Sequence, residues 1–108
     1  DMRTRKHEML TRVSAVIALA GGTGTLEELL EAITLKRLGL FLGPIVIVNT
    51  KGYYDPLLEQ LAAAIEGRFM DNRHGSLWSV VTEPEAVLQA IETAPEWDPA
   101  NRDFAVAR

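Results

Sequence analysis

An α/β fold built on a parallel sheet is what the 108-residue sequence predicts. Three observations carry that expectation. Apolar runs at Ala15–Leu19, Ile45–Val48 and Leu77–Val81 have the length and character of strands. Amphipathic helical segments separate them, giving the order α-β-α-β-α-β-α, and such alternation implies parallel strands joined by right-handed crossovers. A glycine-rich stretch, Gly21-Gly22-Thr23-Gly24, stands between the first strand and the helix behind it, at the kind of junction where open α/β sheets bind ligands. Three such strands cannot cover themselves, so the pattern looks like one half of a doubly wound sheet.

In order, Met2–Val13 reads as a helix whose Met2, Met9, Leu10 and Val13 form an apolar arc. Lys6 falls inside that arc and Arg5 at its edge. They are either snorkelling cations, stems packed and heads in water, or a cationic pair aimed at a ligand. His7 lies on the polar side as a surface residue. Ser14 ends the helix before Ala15–Leu19. The segment Leu26–Leu40 then carries Leu26, Leu29, Leu30, Ile33 and Leu38 on one buried face, with Glu27, Glu31 and Thr34 on a neighbouring stripe. Thr25 and Glu28 fit a capping box, as N-cap and N3. Gly39 is the helix stop and Pro44 the punctuation after it.

Ile45–Val48 is β-branched without alternation, hence a strand buried on both faces. Asn49–Tyr54 is its carboxyl-end loop, turning at Gly52. Asp55 caps the next helix, with Pro56 at its first position, Leu57, Leu58, Leu61 and Ile65 inward, and Gly67 near its end. Phe69–Ser76 reads as a loop, in which His74, with no second ligand nearby, is structural. After Leu77–Val81, Glu83-Pro84-Glu85 opens a helix that buries Ala86, Val87, Ala90 and Ile91. Residues 1–94 form the domain, and 95–108 an irregular tail that Trp97 and Phe104 pin to the domain or to a partner.

The composition is 47% hydrophobic and 24% charged, an ordinary globular balance. A net charge of −4 without a long basic run argues against broad nucleic-acid or anionic-membrane binding. Cysteine is absent, which excludes disulfides and thiolate metal sites. No apolar run approaches a membrane span and no secretory signal is visible, so a cytoplasmic protein is expected. The chain opens on Asp1 directly in a helical pattern, which reads as a truncated or cleaved start.

The glycines let backbone N–H groups approach an anion closely, and a helix N-terminus adds unpaired donors and the positive end of a dipole. A phosphate-bearing ligand is the first expectation; a tight turn with no ligand is the alternative. Two better-known phosphate motifs do not fit. Thr25 and Leu26 follow Gly24, where a Walker A loop carries Lys and then Ser or Thr. A dinucleotide fingerprint through Gly22 and Gly24 would meet Glu27 at its third glycine.

Two motifs together resemble the LOG ("Lonely Guy") family of cytokinin riboside 5′-monophosphate phosphoribohydrolases. Asp1-Met2-Arg3-Thr4-Arg5-Lys6-His7-Glu8-Met9 is similar to that family's M-x-x-R-K-x-x-M, and Gly21–Glu28 to its P-G-G-x-G-T-x-E-E. Asn49–Tyr54, ending Gly52-Tyr53-Tyr54, is similar to the segment after the family's next strand. Ala20 stands where the family has Pro. The resemblance covers about the first ninety residues. It implies the C-terminal half of a Rossmann-like doubly wound parallel sheet, the N-terminal half and its own glycine turn being missing.

The activity so implied is hydrolysis of the N-glycosidic bond of a (prenylated) adenosine 5′-monophosphate, releasing free base and ribose 5-phosphate through an oxocarbenium-like sugar. By the same resemblance Glu28 and Arg5 are catalytic. Lys6, Gly21 and the N–H groups of Gly22, Thr23, Gly24 and Thr25 hold the 5′-phosphate. Glu27 meets the ribose hydroxyls, and Thr34 contacts substrate from the flank. No metal or cofactor is implied, and the assembly is a homodimer. Two rivals stand beside this reading: a general purine nucleotide 5′-monophosphate nucleosidase, and a non-catalytic nucleotide-binding module, which has no need of Arg5 with Glu28. Some homologues carry the label lysine decarboxylase. The residues do not support it: no pyridoxal-phosphate site is visible, and only Lys6, Lys36 and Lys51 could form a Schiff base.

Overall fold

The strands of the sheet run parallel in the order β1 (Val16–Ala18), β2 (Ile45–Val48), β3 (Ser79–Val81). These come from a computed structural model that describes residues 14–98 and 100. Val16 to Ala18 pair with Ile45 to Ile47, and Val46 to Val48 with Ser79 to Val81. Helix α1 (Thr23–Arg37) connects β1 to β2, and α2 (Asp55–Glu66) connects β2 to β3. Helix α3 (Val87–Thr93) follows β3 through a 3-10 turn, Pro84–Ala86. The predicted helix over Met2–Val13 lies outside the described residues.

All four residues of β2 are buried, because this strand has a neighbour on each edge and cover on each face. Ile45 and Ile47 join a core with Leu29 and Ile33 of α1, Leu61 of α2, and Tyr54, Leu77 and Trp97. Val46 and Val48 pack on the opposite face with Val87, Ala90 and Ile91. Thus α1 and α2 cover one face and α3 the other. The outer strands are covered only in part, in keeping with the expectation that three such strands cannot cover themselves. Ile17 is 47%, Leu19 56% and Val80 43% exposed, while Ala18 is buried. Trp97 ties the described part of the tail into the main core, whereas Phe104 lies outside the described residues.

Several boundaries move from their predicted positions, each for a local reason. Helix α1 begins at Thr23 rather than Leu26: Gly22, in extended backbone, already accepts the first helical bond from Leu26 N–H at 3.0 Å. The Thr25–Glu28 capping box therefore does not form; Thr25 sits at N3, and no side chain caps the helix. At the other end Gly39 has φ 77°, Leu40 N–H donates to Leu35 O at 2.8 Å, and Gly39 N–H donates to Lys36 O at 3.0 Å. That is a Schellman closure, with Gly39 as the stop the sequence predicts.

Asp55 is the first residue of α2 and not its cap, which is Tyr54. The same Schellman pattern ends α2, but the left-handed residue is Arg68 (φ 64°), one place beyond Gly67. A Cβ on Gly67 would lie 3.0 Å from Cε2 of the exposed Phe69 ring, a tight contact. The predicted loop over Phe69–Ser76 contains a 3-10 turn, Asn72–Ser76, which Asp71 caps from Arg73 N–H while His74 Nδ1 accepts Asp71 N–H at 3.0 Å. Leu77 closes that turn and is buried in the core, so β3 starts two residues later, at Ser79.

Candidate functional site: a glycine turn at an uncapped helix

The polypeptide leaves β1 through Leu19 and Ala20, passes Gly21 and Gly22, and enters α1. The first N–H groups of an α-helix have no intrahelical acceptor; here the N-cap is Gly22, which brings no side chain to them, and no acidic residue stands in the first turn. Thr23, Gly24 and Thr25 thus offer main-chain donors at the positive end of a 15-residue helix. The glycines divide by need. A Cβ on Gly21 would collide with Thr25 Oγ1 and lie 2.9 Å from Thr25 Cβ, so packing alone requires glycine there. Gly22 and Gly24 face open space, with nothing within 4 Å of an added Cβ. Gly22 also has φ −100°, which any residue adopts. A tight turn explains Gly21 and leaves Gly22 and Gly24 unexplained.

Glu27 and Glu28 are exposed in the second turn of α1, just past the donors. Thr34 is exposed on the Glu27 stripe, about 10 Å further along the axis by the helical rise. Arg5 and Lys6 lie outside the described residues. His74 is buried and serves the cap of its turn, as expected of a structural histidine. Among the described residues no cluster of three His, Cys, Asp or Glu is grouped to hold a metal, and no helix is long and apolar enough to cross a membrane. Lys36 is 2% exposed near the far end of α1, roughly 20 Å along the helix from Thr23. Burial lowers its ammonium from 10.5 to about 8.

The loop after β2 reaches the glycine turn, a contact that sequence reasoning missed. Tyr53 OH donates to Gly21 O, and Tyr54 OH donates to Leu19 O at 2.5 Å. The two rings meet edge to face, with centroids 4.9 Å apart. Asn49 holds the pair. Its Oδ1 accepts Tyr54 N–H at 2.6 Å and its Nδ2 donates to Asp55 Oδ1 at 2.8 Å. Consecutive left-handed residues, Lys51 (φ 54°) and Gly52 (φ 73°), fold the loop back. Burial raises the Tyr54 hydroxyl above its usual value, and Tyr53 beside it adds to the shift, so Tyr54 remains a donor at neutral pH. The signal available in the sequence was two phenols directly after the Lys-Gly turn, in the loop that follows the strand neighbouring β1.

A parallel sheet whose first strand opens through glycines onto a helix N-terminus defines a partial Rossmann-like fold. The model of the family described as "Possible lysine decarboxylase" matches residues 1–91. A rice (Oryza sativa subsp. japonica) cytokinin riboside 5′-monophosphate phosphoribohydrolase is 42% identical over 98 residues, 90% of this chain and 40% of the relative. Two proteins of the same description from Arabidopsis thaliana are 42% identical over 101 residues and 43% over 96. Those matches take in 91% and 88% of this chain, and 46% and 45% of the relatives. The chain belongs to this family, the LOG family, and it spans less than half the length of these relatives.

Proposed function

We propose that the protein hydrolyses the N-glycosidic bond of an adenosine 5′-monophosphate, plain or prenylated on the base, releasing free base and ribose 5-phosphate. The carrying observation is the uncapped start of α1, where Gly22 and Gly24 leave space that packing does not ask for. A phosphate there takes the N–H groups of Gly22 to Thr25, joined by Lys6. The names of the relatives support a nucleoside 5′-monophosphate as substrate. Glu28, one turn on, is the carboxylate that stabilises the oxocarbenium-like sugar or orients water, with Arg5 as its partner. Glu27 serves the ribose hydroxyls and Thr34 the flank of the substrate.

Glu28→Gln in the full-length protein tests this. The substitution removes charge at nearly constant shape, and Glu28 closes no capping box, so stability is expected to hold. Turnover is expected to fall at least about 100-fold, roughly 3 kcal/mol of transition-state stabilisation, with nucleotide affinity retained. Full activity of that variant would refute the role given to Glu28, whereas a wild-type protein that binds the nucleotide and releases no base would leave the binding-module reading. The assembly is a cytoplasmic homodimer in this reading, and sedimentation of the active protein as a monomer would overturn the dimer.

A further inference from the structure

We infer that Tyr53 and Tyr54 are positioning residues, two phenols that set the direction of the glycine turn's peptide groups for anion binding. The inference rests on the anion-binding reading of that turn. The β1–β2 ladder ends at the Ala18–Ile47 pair, so the carbonyls of Leu19 and Gly21 lie beyond it. Both are taken up by hydroxyls from one loop, Leu19 O by Tyr54 and Gly21 O by Tyr53. In a planar trans peptide the C=O and the following N–H point in opposite directions. Fixing Gly21 O therefore fixes Gly22 N–H, and fixing Leu19 O fixes Ala20 N–H. Gly22 most needs such a restraint, because it carries no side chain and an added Cβ would meet nothing within 4 Å.

The brace is itself built into the fold. Tyr54 is 2% exposed in the main core, and its N–H is held by Asn49, whose own N–H donates to Val81 O at 2.7 Å at the end of the sheet. Asn49 also reaches Asp55 at the start of α2. Strand β2, α2 and the tyrosine pair thus form one frame, and the glycine turn leans on it. A donor prealigned by this frame need not be reoriented when an anion arrives, which lowers the cost of binding.

Tyr53→Phe in the full-length protein is the primary test, because Tyr53 is half exposed and its hydroxyl can be removed with little harm to the core. Three quantities are read: the amide 1H–15N resonance of Gly22 without ligand, the dissociation constant for AMP, and KM against kcat. The expected result is a displaced Gly22 resonance, AMP binding about 5- to 10-fold weaker, KM raised by the same factor and kcat within about twofold. Tyr54→Phe is expected to displace the Ala20 resonance in the same way, with a lower melting temperature because its site is buried. A Gly22 resonance that stays in place overturns the inference, even if AMP binds more weakly, since Tyr53 would then touch the nucleotide directly. Unchanged AMP affinity with a displaced resonance also overturns it. Should the wild-type protein fail to bind AMP, the proposed function falls, while the Gly22 and Ala20 resonances still show whether the phenols set the peptides.

Discussion

Alanine placed in turn at Gly21, Gly22 and Gly24 separates glycines that the fold requires from glycines that a ligand requires. At Gly21 the new methyl would run into the Thr25 side chain, with Thr25 Cβ at 2.9 Å. Overpacking of that kind costs about 1–3 kcal/mol, reduced to the extent that Thr25 turns aside. At Gly24, the second residue of α1, nothing lies within 4 Å of the methyl, and alanine is the better helix former. Stability is expected to rise by about 0.5 kcal/mol. At Gly22, the N-cap, alanine is expected to cost about 0.5–1 kcal/mol, because it is a poorer cap than glycine. Affinity follows a different order. The Cα–Cβ bonds of a helix tilt toward its N-terminus, so a methyl at Gly24 projects over the donors of the first turn. Gly22→Ala and Gly24→Ala are each expected to weaken AMP binding at least about 10-fold. Thermal unfolding gives the stabilities and isothermal titration calorimetry the affinities, both on the full-length protein. A Gly24→Ala protein that melts higher and binds AMP as tightly as wild type would refute the reasoning, since the open space at the helix mouth would then hold nothing.

Two further substitutions concern stability alone. Lys36 is buried, and the fall of its pKa from 10.5 to about 8 corresponds to about 3 kcal/mol of lost ion solvation at neutral pH. After discounting for the water that still reaches the ammonium end, Lys36→Met is expected to gain about 1–2 kcal/mol without affecting AMP binding roughly 20 Å away. The sign against pH follows. Between about 8 and 10.5 the unfolded chain holds a proton that the folded chain lacks, so wild-type stability rises with pH there. The Met variant is expected to lose that rise, and a lower melting temperature at pH 7 would contradict the argument. Arg68 is left-handed without being glycine, and Arg68→Gly is expected to gain about 0.5–1 kcal/mol in thermal unfolding. A drop would mean that the Arg68 side chain contributes more than its backbone costs.

How much of this was legible in the sequence depends on how local each cause is. Strand β2 was read to its last residue, because four β-branched residues in a row have one stable use in a parallel sheet. Gly39 was legible for the same reason: the left-handed stop of α1 is a property of one residue. The end of α2 was legible too, since Gly67 is its C-cap, but its left-handed residue is Arg68, which no glycine marks. Strand β3 was read too long, since Leu77 belongs to a turn whose cap is closed by Asp71 and His74, a contact that apolar content does not announce.

The site divides along the same line, and its most informative feature is one that the capping template hid. Thr25 and Glu28 match T-x-x-E, and a reader who rewards caps begins the helix behind Thr25. The helix in fact begins two residues ahead of Thr25, behind a glycine cap that brings no side chain to its first donors. A cap satisfies those donors from within the chain, whereas an anion site must keep them for something else. A Thr25–Glu28 box would take up the N–H groups of Glu28 and Thr25, but with α1 starting at Thr23 the Glu28 N–H lies inside the helix and the open donors are those of Thr23, Gly24 and Thr25. The hydroxyl contacts that hold the glycine turn were beyond local reading altogether. Tyr53 and Gly21 are 32 residues apart, Tyr54 and Leu19 35. They meet because β1 and β2 are adjacent and parallel, which brings both carboxyl ends, the glycine turn on one and the tyrosine loop on the other, to the same rim of the sheet.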